Sequence, residues 1–569
     1  MFIPTTKQEM KKLGWDFCDV ILVSGDTYVD SPYFGTAIIG KLLIDAGFRT
    51  GIIAQPDLKQ RNEENFPDIM RLGEPGLFWG VTGGCMDSMV SNYTPTNKPR
   101  RNDDLTPGGM NDKRPDRAVI VYCNEIRRHF KNTSPIVIGG LEASLRRIAH
   151  YDYWDNKIRR SILFDSKADF LIYGMAEKTI LALAGVLKEK KGNYLSEIKK
   201  IKGLCYVANE KPQNYVEIPS YDEVSKDKDK FIESFKMFYI ENLPGISKGI
   251  VQKQDTRYLV QNPPQDTLTP PELDKIYDLD YEYDAHPYYK NMGKIKALET
   301  IKFSITTHRG CFGECNFCAI SIHQGNVITS RSMESILGEV NRMTGKKKFN
   351  GIIYDVGGPT ANMYAMGCKK LKNGHCQGKR CAFPEQCIYL DCSHKEQIKL
   401  LQSIKKIKGV RKAFVSSGIR YDLVINDKEY GDRYLDELIE NHVSGQLKIA
   451  PEHTKQKILN LMGKKGEREL REFIRKYSEK NRKKGKKQFL TCYFIAAHPG
   501  CTKKDMLELR DFIKSELKFT PEQIQIFTPT PGTWSSVMYW TEKNPWTGEK
   551  IFVEKNQKEK EKQKNVLKN

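Results

Sequence analysis

The chain has no apolar run approaching the ~18–20 residues that a membrane helix needs, so nothing in it reads as a membrane span. Its opening, Met1-Phe-Ile-Pro-Thr-Thr-Lys-Gln-Glu-Met10, lacks the apolar stretch of a secretion signal. Both absences point to a reducing cytoplasm, where the 14 cysteines are expected as metal ligands or free thiols rather than disulfides. Acidic residues are in deficit, 71 against 92 Lys and Arg, for a net charge of +21. That excess would suit a polyanion such as RNA. It is scattered, however, and the runs Lys346-Lys347-Lys348 and Lys483-Lys484-Gly-Lys486-Lys487 read as solvated loops. At 569 residues the chain exceeds one ordinary core, and two or three domains are expected.

A fourth cysteine is also missing where it matters most. Cys311, Cys315 and Cys318 stand in C-x3-C-x2-C spacing after a β-like run, residues 301–306, and the next cysteine is Cys368. Three thiolates can hold three irons of a [4Fe–4S] cluster, leaving the fourth iron open to another ligand. An open metal position separates a site that does chemistry from one that only holds a fold. The competing accounts are a zinc site completed by His308 or His323, and three unrelated core cysteines.

The overall pattern is α/β. Residues 19–26 read as a buried parallel strand ending in a glycine turn, 33–46 as a helix closed by Gly47, and 49–54 as the next strand. A second set begins at 118–122 and includes 135–140, and a third strand, 169–174, precedes a helical run. Residues 1–210 are therefore expected as a doubly wound domain. Its turns Gly25, Gly83-Gly84 and Gly139-Gly140 fall where open α/β sheets bind ligands, or simply where tight turns need glycine. Residues 211–296, polar and rich in proline and tyrosine, read as a connector. From 297 to 550 strands and helices alternate, with strands expected at 301–306, 351–354, 413–417, 446–450, 489–495 and 523–527. Six βα units suggest a partial (β/α)6 barrel with its chemistry at the C-terminal strand ends. Residues 551–569 read as a charged tail, disordered or a fraying helix.

Each of those strand ends carries a candidate. The second is followed by Asp355-Val-Gly357-Gly358-Pro359-Thr360, the third by Ser417-Gly-Ile-Arg420 and the fourth by Glu452-His453. Glu452 and His453 are candidates for substrate contact or proton transfer. His498 sits after the fifth strand, and Thr528-Pro-Thr-Pro531 forms a rigid lip after the sixth. A second group, Cys368, Cys376, Cys381, Cys387 and Cys392, is separated by 7, 4, 5 and 4 residues. Reduced thiols so dense on a charged loop invite oxidation, so metal binding is expected, as an auxiliary iron–sulfur cluster or zinc. Four suffice, namely Cys368, Cys376, Cys381 and Cys387, with His375 and His394 as alternatives that would favour zinc.

The triplet, with Phe317 before its last cysteine, resembles the radical S-adenosylmethionine (radical SAM) superfamily. The series Gly-Gly-Pro-Thr-Ala-Asn-Met (357–363), Ser-Gly-Ile-Arg-Tyr-Asp (417–422), Leu-Lys-Ile-Ala-Pro-Glu-His-Thr (447–454) and Phe-Thr-Pro-Thr-Pro (527–531) resembles the YgiQ family over nearly the whole chain. The resemblance implies a [4Fe–4S] cluster on Cys311, Cys315 and Cys318, and S-adenosylmethionine on the open iron. It implies a one-electron donor such as flavodoxin or ferredoxin, and a substrate it does not name. It would set Gly357 and Gly358 at the cofactor's amino group, Ser417 at its ribose and Arg420 at its carboxylate. Pro359 stands where glutamate is usual in the superfamily, so that role rests on the glycine backbone. The first domain resembles the cobalamin-binding modules that precede some radical SAM barrels, yet its turn Ser24–Asp30 has no histidine for cobalt. The rival expectations are a tRNA- or protein-modifying methylthiolase with a second cluster, and a non-catalytic Fe–S electron-transfer or regulatory protein.

Overall fold

The structure is a computed structural model that describes residues 1–58, 67–189, 194–370, 376 and 378–568. The chain forms two compact units, Met1–Asp266 with Leu279–Lys302, and Thr267–Asp278 with Phe303–Asn569.

A nine-stranded sheet organises the first unit. Five strands, β1 (Val20–Ser24), β2 (Thr50–Ala54), β3 (Phe78–Thr82), β4 (Ile136–Gly139) and β5 (Phe170–Ile172), run parallel in the order 2-1-3-4-5. β1 and β2 are buried throughout, which is why they read as unbroken apolar runs. The order reverses between β1 and β3, where a doubly wound sheet opens a ligand crevice. Here the chain fills that crevice. Arg114 pairs with Asp26, pairs with Asp103 at 2.9 Å and donates to the Gly25 carbonyl at 3.1 Å. Gln55 donates to the same carbonyl at 3.1 Å and to Thr106 at 2.7 Å. A side chain at Gly25 would strike the Gly83 carbonyl.

Two expectations for this unit change. Residues 118–122 open the helix Ala118–His129 rather than a strand. Its buried Ala118, Val119, Tyr122, Cys123 and Ile126 recur at helical spacing, giving one apolar face. The sheet also continues past residue 210. β6 (Leu204–Ala208), β7 (Val216–Ile218), β8 (Ile250–Gln254) and β9 (Arg257–Gln261) extend it from β5 in the order 6-9-8-7. Residues 211–296, read as a connector, thus supply three strands of this nine-stranded sheet, while Pro270–Tyr277 is a helix of the second unit. The strands were disguised by glutamines buried within them. Gln252 and Gln254 accept from the Ala149 and Ser161 amides at 2.9 Å each, and Gln261 accepts from Arg147 at 2.8 Å.

The second unit strings short parallel pairs into a partial barrel. β10 (Ile305–Thr306) pairs with β12 (Val356–Gly357), and β11 (Ile352–Ile353) with β15 (Lys412–Ala413). β16 (Gln446–Glu452), β17 (Phe489–Ala496) and β18 (Ile524–Ile526) form a parallel sheet, which a bridge from Ile449 to Ile419 extends. Between β12 and β15 the chain adds a small antiparallel ladder, β13 (Gly367–Cys368) with β14 (Leu390–Asp391). Residue 301, expected in the first barrel strand, ends the helix Leu298–Ile301. The C-terminal segment, read as disordered or a fraying helix, forms the helix Gln557–Asn565, which buries Lys560 and Gln563. No helix among the described residues is long and apolar enough to cross a membrane.

Candidate active site

The C-x3-C-x2-C loop leaves the C-terminal end of β10. Buried Arg331 fixes that end: it donates to the Thr306 carbonyl at 3.0 Å, pairs with Glu339 and lies 4.4 Å from the Tyr277 ring centre. Gly310 has φ +85°, and a side chain there would strike the Val327 carbonyl. Beyond it the Cys311 amide donates to Gly325 at 3.1 Å and the Cys318 amide to Cys315 at 2.9 Å. Asn316 ties the loop to the segment before Gly463 through bonds of 2.8 and 2.9 Å to the Met462 and Leu461 carbonyls. The backbone is held while all three thiols stay half-buried. Burial raises the Cys311 and Cys318 thiols, the latter to about 12, and neighbouring cysteines add to the effect. Such thiols stay protonated at neutral pH unless a metal takes the proton's place.

The donor set suits a cluster better than a single ion. Among the described residues, no three His, Cys, Asp or Glu side chains are arranged to hold one metal ion. His308, a candidate fourth zinc ligand, is buried with its Nδ1 at 2.8 Å from the Thr307 hydroxyl, and neither it nor His323 completes a set with the cysteines. A multinuclear cluster spaces its thiolates more widely than one zinc ion with its Zn–S bonds of about 2.3 Å.

Arg420 comes to this loop from the end of the third strand. Its fork grips Asp422 at 3.0 and 2.6 Å, and its remaining Nη1 stands 4.0 Å from Cys315 Sγ. Burial works to raise the Asp422 carboxyl, but Arg420 outweighs it and holds that group below the usual range. On the other side of the loop the Thr360 hydroxyl is 3.4 Å from Cys311 Sγ. Asn362 locks the two mouth loops together, accepting from the Arg420 amide at 2.8 Å and donating to its carbonyl at 3.0 Å.

Gly357 and Gly358 sit where the mouth is tightest. A Cβ on Gly358 would stand 2.6 Å from the His308 ring, and one on Gly357 would stand 3.2 Å from Ser417. The Gly357 carbonyl accepts from the Thr307 amide at 2.7 Å, which leaves the Gly358 backbone as the freer of the two. The Ser417 hydroxyl donates to Asp355, whose other oxygen accepts from the Ser416 and Ser417 amides at 2.7 and 3.0 Å. Asp355 therefore aims Ser417.

The Glu452-His453 pair separates into two environments. Glu452 is buried, with Lys464 at 3.8 Å, and burial raises its carboxyl above the usual range. It lies within electrostatic reach of Cys318. The His453 ring is committed to the backbone. Its Nδ1 accepts from the Thr454 and Lys455 amides at 2.9 and 3.0 Å, its Nε2 faces Cys501 at 3.8 Å, and burial pulls it down to about 4. His498 is likewise held, by Ser535 at 2.7 Å, with its ring edge-on to Phe317.

Asp355, Thr360, Asn362 and Asp422 stand inside motifs legible in the sequence but had no role of their own there, and Lys464 stands in none. Asp355 and Asp422 carried a further signal, an acid flanking a mouth motif with an arginine or serine to hold. In the second cysteine group, Cys376 is exposed, Cys368, Cys381 and Cys387 are half-buried, and Cys392 is buried. His375 lies outside the described residues. His394 is not free for zinc: it pairs with Asp427 at 2.8 Å, meets Asn362 at 3.1 Å and stacks on Tyr434.

Residues 2–304 match the family described as Radical SAM N-terminal, and residues 305–513 match the Radical SAM superfamily. Fold and family together make the protein a radical SAM enzyme. A UPF0313 protein of Fusobacterium nucleatum is 55% identical over 568 residues, covering 100% of this chain and 98% of the relative. Another, from Thermotoga maritima, is 50% identical over 569 residues with the same coverage. The chain belongs to this UPF0313 family, the YgiQ family. Among solved structures, the radical S-adenosylmethionine methyltransferase TsrM from Kitasatospora setae, with cobalamin and a [4Fe-4S] cluster bound, matches with TM-score 0.50 and 13% identity. The match covers 91% of this chain and 77% of that one, and it is a likeness of fold.

Proposed function

We propose that Cys311, Cys315 and Cys318 hold a [4Fe–4S] cluster with which the enzyme cleaves S-adenosylmethionine reductively, to act on a substrate by hydrogen-atom abstraction. The carrying observation is the loop itself: three fixed, half-buried cysteines at a C-terminal strand end. When bound, the cluster would supply one electron, taken from a donor such as flavodoxin or ferredoxin, to break the C5′–S bond into methionine and a 5′-deoxyadenosyl radical.

The chain's own residues bind and orient. Arg420 Nη1, beside Cys315, offsets the negative charge of the thiolates and stands ready for the cofactor carboxylate. The Gly358 backbone offers a carbonyl to the amino group. Ser417, aimed by Asp355, offers its hydroxyl to the ribose. Glu452, whose carboxyl burial raises above the usual range, is a candidate proton carrier within electrostatic reach of Cys318. His453, with its ring nitrogens engaged, positions the turn that carries Glu452.

The test is anaerobic reconstitution and reduction of the full chain, followed by S-adenosylmethionine. The expected result is a perturbed electron paramagnetic resonance signal and 5′-deoxyadenosine in the product, both lost in Cys315→Ala. An unperturbed cluster and no cleavage would favour the electron-transfer reading.

A further inference from the structure

Residues 361–393 interrupt the barrel between β12 and the helix Lys395–Lys405. Apart from the two-residue ladder of β13 and β14, the described part of this excursion contains no strand or helix. So little regular structure among the described residues of so long a segment is uncommon in a compact domain unless the segment has a function or a brace of its own. Met363, Met366, Ala382 and Leu390 anchor it in one apolar cluster, while Ile388 and Tyr389, 85% and 44% exposed, are left outside.

Cysteine offers the brace. The ladder sets Cys368 opposite Leu390, the Leu390 amide donates to Cys387 at 3.0 Å, and the Cys387 amide donates to Cys381 at 2.9 Å. Cys368, Cys376 and Cys387 all lie within electrostatic reach of Cys381. All four are free thiols. The fifth cysteine, Cys392, is buried and accepts from Gln386 at 3.0 Å, while His394 is held by Asp427 and Asn362. The donors on offer are therefore four thiols, and no three of the described ligand-type side chains close on one ion as zinc requires.

Position adds a second argument. Cys381, Cys387 and Cys311 pack on one apolar cluster that includes Phe312, Met363 and Leu390. Arg380 and Asn316 both close over Gly463. The excursion thus rests on the loop that carries the triplet.

We propose that Cys368, Cys376, Cys381 and Cys387 bind a second iron–sulfur cluster, ligated by four protein thiolates and lying beside the triplet. A first cluster on the neighbouring triplet rests on the function proposed above; the second site does not. With all four irons ligated by protein it has no open position, so it does not bind S-adenosylmethionine.

The full chain, reconstituted anaerobically with ferrous iron and sulfide, should hold about eight irons, two cubanes' worth. Cys381→Ser with Cys387→Ser should lower this to about four, and the remaining resonance should still shift with S-adenosylmethionine. The reciprocal variant, Cys311→Ala with Cys315→Ala and Cys318→Ala, should keep about four irons whose signal ignores S-adenosylmethionine. That variant decides the matter even if the first misfolds. The proposal is overturned if wild type holds about four irons and the reciprocal variant none, or if the reciprocal variant retains zinc instead of iron. Two clusters without cleavage would overturn the proposed function and leave this inference standing.

Discussion

Asp422 decides what Arg420 can do. Both are buried, 6% and 11% exposed at the side chain, and their forked bond leaves one guanidinium nitrogen for the cysteines. Removing one partner strands a buried charge, at a cost of about 3–5 kcal/mol. Asp422→Asn should therefore lower the denaturant midpoint markedly, measured by urea unfolding, and an unchanged midpoint would show that water reaches Arg420. His453 makes a different prediction. Burial holds it at about 4, against ~6.5 when unfolded. The unfolded chain takes up the proton first, so this contribution is complete above pH ~6.5 and is lost as pH falls toward 4, on the order of 2 kcal/mol by pH 5. The thermal midpoint should drop between pH 7.5 and 5, and His453→Asn should flatten part of that drop. An identical slope would place the acid sensitivity in the other buried histidines, His150, His308 and His498, which burial also holds low.

Among the elements, the C-terminal helix Gln557–Asn565 shows best how charge conceals packing. Its sequence, Gln-Lys-Glu-Lys-Glu-Lys-Gln-Lys-Asn, has no apolar stripe, yet Gln563 accepts from the Ala497 amide at 3.2 Å and Lys560 donates to the Tyr539 hydroxyl at 2.8 Å. Gln563→Ala would leave a buried amide without an acceptor. A loss of about 1–3 kcal/mol is expected, visible as a lower thermal midpoint, whereas exposed Lys562→Ala should stay within about 0.5 kcal/mol. Equal midpoints would mean the helix is not docked in solution. The glutamines of β8 follow the same rule: a polar side chain that meets a backbone amide can sit in a core, and periodicity cannot foresee the meeting.

At the scale of the whole molecule, the first unit has the strand order of a ligand-binding sheet, but Arg114, Gln55 and Thr106 fill its switch point. Hydroxocobalamin should consequently elute apart from the protein in gel filtration, and co-elution would show that this plug opens. The basic excess is also partly answered on the surface. Lys476 pairs with Asp432, Lys480 with Asp436, and Lys484 with Asp436 and Glu440; Lys483, read from sequence as part of a solvated loop, instead ends the helix Glu467–Lys483.

The sequence by itself determined the α/β class, the buried parallel strands and the cysteine triplet, because each is written in local spacing: apolar runs, helical periodicity, and three thiols on one loop. Tertiary structure alone decided which groups face one another. It brought Arg420 beside Cys315 and Ser417 onto Asp355, and it folded most of the polar 211–296 segment into the first unit. These outcomes depend on contacts between residues distant in the chain, and burial makes the hydrogen bonds among them obligatory.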